Sequence, residues 1–120
     1  MARILSIALL ACSLAAGGNA FATRILDQVE KSYELALADI ILPGNSAGTV
    51  IFKPCETCDT TSLQVDGNTR YFVDGTEYSF DDFIRIASDM KKDTRESLRI
   101  AATVHYWIKN SRVSRLRLER

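Results

Sequence analysis

Leu98-Arg99-Ile100-Ala101-Ala102-Thr103-Val104-His105-Tyr106-Trp107-Ile108-Lys109 is the stretch on which the fold class turns. In an extended chain, Leu98, Ile100, Ala102, Val104, Tyr106 and Ile108 share one face. Arg99, Ala101, Thr103, His105, Trp107 and Lys109 share the other. This period of two is what a strand with one buried face requires, because successive side chains of a strand point to opposite sides. Asn110-Ser111 breaks the run, and Val113 to Leu118 returns with Leu116 and Leu118 inward and Arg115 and Arg117 outward. A long C-terminal β-hairpin is predicted.

Upstream lies a helix. Ser79 stands as N-cap with Asp82 three residues later, and Phe80, Phe83, Ile84, Ala87 and Met90 fall on one helical face. Asp81 and Asp82 suit the positive end of the helix dipole, and Lys91 and Lys92 the negative end. A helix over Phe80–Lys91 follows.

Before the helix the signals are of short strands. Thr49 to Lys53, Ser62 to Val65, Thr69 to Val73 and Glu77-Tyr78 are rich in β-branched and aromatic residues. Asp66-Gly67-Asn68 and Asp74-Gly75 between them read as two hairpin turns. Ser32 to Ile41 suits either a strand or a helix, with the strand preferred, and Pro43-Gly44-Asn45 ends it. The class predicted is α+β: a small, mainly antiparallel sheet with one packed helix and the C-terminal hairpin. A partly closed barrel is the alternative, since short strands and Asp-Gly turns serve it equally.

The amino-terminal end has a different logic. Arg3 precedes an uncharged run from Ile4 to Ala16, then Gly17-Gly18-Asn19, then Ala20-Phe21-Ala22. That order of charge, apolar core and small-x-small site is the pattern of a secretory signal peptide over residues 1–22, cleaved after Ala22 or, as second choice, after Ala20. The run is too short for a membrane-spanning helix, which needs roughly 20 residues. Leu9-Leu10-Ala11-Cys12 loosely matches a lipobox, so a lipid anchor on Cys12 is the minor alternative. Residues 23–120 are expected to form one small domain, periplasmic or secreted, with no transmembrane span after cleavage.

Cleavage would remove Cys12 and leave Cys55 and Cys58 as a C-x-x-C pair in an oxidising compartment, where a disulfide is the expected state. A redox-active dithiol would want its first cysteine at a helix N-terminus, whereas Glu56 and Asp59 put negative charge beside this pair. A zinc site would want four ligands, and two thiolates with the single His105 do not make them. No cofactor-binding or metal-binding motif is read.

Charge is unevenly spread although the whole chain balances to zero at pH 7. Residues 23–90 hold five basic and twelve acidic side chains, a net of −7, and residues 91–120 hold nine and three, a net of +6. The arginines of the last strand could meet an anionic surface or pair with the acidic half. Arg99, His105 and Trp107 on the outer face, with Arg115 and Arg117, form the candidate ligand surface. One histidine supports no Ser-His-Asp order, and nucleic acid is a poor partner for an exported domain of this charge.

Phe52-Lys53-Pro54-Cys55-Glu56-Thr57-Cys58, followed by Leu63-Gln64-Val65, Thr69-Arg70-Tyr71, Gly75 and Phe83, resembles uncharacterised small exported proteobacterial proteins with a P-C-x-x-C turn before a β-hairpin and a helix. The resemblance covers about Tyr33 to Phe83 and implies no functional residues. The expectation is a non-enzymatic accessory or binding protein of the cell envelope, with another envelope protein or an anionic surface as partner. The alternative is a thiol-redox or metal-handling protein using Cys55 and Cys58.

Overall fold

A computed structural model describes residues 29–120. The proposed signal peptide and Cys12 lie outside the described residues. The fold is α+β, as the sequence predicts. Strands β1 (Glu30–Ala36), β2 (Ile40–Ile41), β3 (Thr49–Phe52), β4 (Thr61–Gln64), β5 (Arg70–Val73) and β6 (Thr76–Tyr78) come first. Helices α1 (Phe80–Lys91) and α2 (Thr94–Arg99) follow, and β7 (Ala101–Trp107) and β8 (Val113–Glu119) complete the order. The strands form a five-stranded sheet in the order β1-β7-β8-β5-β6 and a three-stranded sheet β2-β3-β4. Among the described residues both stay open, and neither closes into a barrel. All ladders are antiparallel except β5 with β8, where Arg70 to Val73 run parallel beside Arg115 to Leu118.

Helix α1 forms where the capping pattern places it. The Ser79 hydroxyl accepts a hydrogen bond from Asp82 N, satisfying one of the free amides of the first turn, and Phe83, Ala87 and Met90 are buried. Phe83 packs its ring 5.0 Å from that of Tyr71 on β5. The core spans both sheets: Val73, Val104, Leu116 and Leu118 from the larger one join Val50, Phe52 and Leu63 from the smaller and Val65 just past β4. Tyr33 of β1 links them, with its ring 5.2 Å from Phe52 and stacked at 5.4 Å on Tyr106. Burial pushes the Tyr71 phenol up to about 12, and its hydroxyl finds no partner among the described residues.

The structure corrects three expectations. The long strand does not start at Leu98. Asp93 caps α2 by accepting from the amides of Arg95 and Glu96, so Thr94 to Arg99 coil into a helix and the strand begins only at Ala101. Leu98, expected inward, is therefore 58 % exposed, and Ile108, beyond the strand, is 39 % exposed. Asp66-Gly67-Asn68 is a turn but not a hairpin, since it joins β4 of one sheet to β5 of the other. Thr69 anchors it by donating from Oγ1 to the Val113 carbonyl at 2.7 Å. Finally, the Ser32–Ile41 segment is extended only in part: β1 gives way to a 3-10 turn over Leu37–Asp39 before β2. The Asp74-Gly75 expectation stands. Both residues have positive φ, 50° and 86°, the conformation that a two-residue hairpin turn demands.

Candidate functional site

The outer face of the five-stranded sheet, opposite α1, gathers most of the polar residues singled out above. Register sets them in rows. Glu30 pairs with Trp107, Ser32 with His105, and Glu34 with Thr103; His105 in turn pairs with Arg115, and Thr103 with Arg117. His105, Trp107, Arg115 and Arg117 thus share one face. Arg99 does not join them, because it belongs to α2 beyond the far end of β7.

A β-bulge tightens this arrangement. Tyr106 pairs with Val113 and His105 with Arg115, so Ser114 is an extra residue in β8. The bulge brings Ser114 and Arg115 to the same carboxylate. Ser114 Oγ donates to Glu30 Oε2 at 2.7 Å, Arg115 Nη2 donates to Glu30 Oε1 at 2.7 Å, and His105 Nδ1 lies 3.3 Å from Oε1. Burial alone would raise the Glu30 carboxyl, but hydrogen bonds from Arg115 and Ser114 and the nearby positive charge hold it below its ordinary range. Burial lowers the His105 imidazole, helped by Arg115 and Arg117 and opposed by Glu30, so the ring is neutral near pH 7. Nδ1 faces both the Glu30 carboxylate at 3.3 Å and Arg115 Nη2 at 3.5 Å, and the buried Nε2 has no partner among the described residues.

Chemically this cluster is a clasp. A nucleophilic serine needs its hydroxyl on the imidazole, with the carboxylate behind the ring. Here the carboxylate is central, and the Ser114 hydroxyl is committed to it. Neither Glu30 nor Ser114 is signalled locally in the sequence as part of a site. The one hint is that Val113 and Leu116, three apart, both face the core, which a regular strand cannot achieve.

The basic stripe is likewise committed. Arg112 pairs with Asp66, Arg115 with Glu30, Arg117 with Glu119 and Arg120 with Asp74, all at 3.3 Å or less. Three of these four carboxylates belong to the acidic half, so about half of the +6 excess of the C-terminal segment is paired with it, while Glu119 lies within that segment.

Free surface of another kind lies at the edge strand β1. A groove of about 610 Å³ runs from Glu34 and Leu35 on β1 to β3 and the cysteine turn. Leu35, Ile41, Ile51 and Pro54 give it an apolar wall, and Glu34, Asp39 and Glu56 an acidic one, with Lys53 the only cation among the described residues of the lining. Ile41 is 60 % exposed here, a large value for an aliphatic side chain. A second hollow, which includes exposed Leu98 and Arg99, meets the first at Glu34 and Leu35.

Cys55 and Cys58 form a disulfide in the β3–β4 loop, with Cα atoms 5.0 Å apart, and Cys58 N donates to the Cys55 carbonyl to close the turn. The pair sits at a hairpin tip and not at a helix N-terminus, so no helix dipole would stabilise a thiolate. Replacing both cysteines by serine is expected to lower the unfolding free energy by no more than roughly 2 kcal/mol, given the short closed loop. Urea unfolding of the oxidised chain and the double variant checks this, and a variant unable to fold would contradict it. No helix among the described residues is long and apolar enough to cross a membrane. No protein-family model matches the chain, and neither a curated protein nor a solved structure matches it.

Proposed function

We propose that this chain is a small exported binding domain of the cell envelope, without chemistry of its own, that docks onto another envelope protein through the groove beside β1. One contrast carries the reading. The charged groups around Glu30 on the outer face are turned onto one another, whereas the two most exposed large aliphatic side chains among the described residues, Ile41 and Leu98, flank Glu34 and Leu35. Both are more than half exposed, against 36 % for Trp107 and 39 % for Ile108 at the other end of β7. Contiguous apolar surface rimmed by charge is how a soluble domain presents a protein-binding site. The alternative, a redox or metal-handling role for Cys55 and Cys58, draws support from the C-x-x-C spacing and from the place of Cys55 in the groove lining.

Site-directed photo-crosslinking in the producing cell tests the proposal. A photoreactive side chain at Ile41 is expected to yield one discrete adduct with an envelope protein. The same group at Arg85, on the exposed side of α1, is expected to yield none. Equal adduct patterns from the two positions, or none from Ile41, would remove the basis for a docking role.

A further inference from the structure

The backbone of β1 adds information that the groove alone lacks. Val29 O accepts from Ile108 N at 3.2 Å, and Leu37 N donates to Ile100 O at 2.9 Å. Hydrogen-bonded pairs alternate along an antiparallel ladder, so the odd-numbered residues of β1 are the ones bonded to β7. Glu30, Ser32 and Glu34 therefore direct their N–H and C=O groups away from β7, toward the open edge of the sheet. Among the described residues no strand pairs with that edge. The groove starts where the edge ends, at Glu34 and Leu35.

We infer that β1 accepts an added antiparallel or parallel strand from a partner protein, and that this segment alternates basic with apolar side chains. The inference rests on the proposed binding role and specifies its partner. Main-chain groups of the incoming segment would bond to Ser32 and Glu34, as strand addition requires. The alternation of side chains would then send one set toward Leu35 and Ile41 and the other toward Glu34. The charge of the lining selects the sign: among its described residues Glu34, Asp39 and Glu56 stand with Lys53, and since Lys91, bonded to the Ile40 carbonyl, lies close to Asp39, Glu34 and Glu56 are the carboxylates left to set it. An acidic segment would meet like charge along most of the groove, and a basic one would meet complementary charge. The same carboxylate on β1 discourages indiscriminate edge pairing in the absence of a partner, since a charged edge strand resists self-association.

The probes are an alternating lysine–valine octapeptide, its glutamate–valine counterpart, and a lysine–valine peptide with alternate backbone amides N-methylated. They are titrated into the chain as isolated, with the disulfide oxidised, and followed by amide chemical shifts. The lysine–valine peptide is expected to shift and protect the amides of Ser32 and Glu34, and to weaken as salt is raised. The acidic and N-methylated peptides are expected to bind at least tenfold more weakly. Ile41→Lys is expected to weaken the lysine–valine peptide at least tenfold. So is Ser32→Pro, which deletes one outward N–H from an edge strand, where proline is tolerated. Equal binding of the three peptides, shifts centred on His105 and not on β1, or no binding at all would overturn the inference. Should the Ile41 crosslink persist in that event, the binding role stands and only the strand-addition mode is lost.

Discussion

Glu30→Ala is expected to lower the unfolding free energy by about 2–3 kcal/mol, far more than the loss of an ordinary surface ion pair. Glu30 is the common acceptor for groups from two strands: His105 on β7 and Ser114 and Arg115 on β8. Its side chain is 22 % exposed and Ser114 is buried, so deletion strands the Ser114 hydroxyl away from water, while the Arg115 guanidinium, 37 % exposed, loses its partner but keeps part of its hydration. A double-mutant cycle with Arg115→Ala should return a coupling energy above about 1 kcal/mol. A Glu30→Ala variant within about 0.5 kcal/mol of the parent would show the clasp to be ornamental.

The same cluster gives stability a definite pH dependence. Glu30 and His105 both titrate below their ordinary values when folded, so the folded chain binds fewer protons than the unfolded one and stability rises with pH across each window. The His105 contribution is complete above its ordinary value of 6.5 and declines as pH falls below it. The Glu30 contribution is complete above 4.5 and is lost as pH falls through the lowered folded value. Unfolding midpoints measured from about pH 8 down to about pH 2 should fall in two stages, and His105→Asn should abolish the upper one.

Phe83→Ala should cost still more, about 3–5 kcal/mol, as for other fully buried aromatic side chains. Phe83 is 0 % exposed at the joint between α1 and the sheet, against Tyr71. That loss is a large share of the stability of a domain this size, so Phe83→Leu provides the companion variant that still folds. Calorimetry should show the leucine variant melting at an intermediate temperature. Equal effects of the two would mean that the residue is not a keystone of the α1 contact.

What the sequence discloses depends on the range of the interaction. Helix α1 and the Asp74-Gly75 hairpin are legible because Ser79 with Asp82, and two residues of positive φ, act over a few positions. The alternation of Ile100, Ala102 and Val104 is legible for the same reason. It overreached at Leu98 because periodicity carries no sign of where a strand starts. Asp93, with Glu96 three residues on, was the local sign of a helix that outweighed it. The parallel pairing of β5 with β8 left no trace, nor did the meeting of Glu30 with Ser114, 84 residues away. These depend on which strands become neighbours, a matter of the whole chain. The candidate surface was half legible: His105, Trp107, Arg115 and Arg117 do share a face, but the carboxylate that organises three of its groups does not announce itself.

The strand order has a temporal meaning as well. β8 occupies the middle of the larger sheet and is the furthest along the chain of the described strands. Until residues 113–119 emerge during synthesis, the β1–β7 pair and the β5–β6 hairpin have no common neighbour, and neither is stable in isolation. Folding that depends on such distant pairings is slow to start and cooperative once started. The larger sheet therefore cannot grow stepwise from its amino-terminal side; its two halves are joined only when β8 pairs between them.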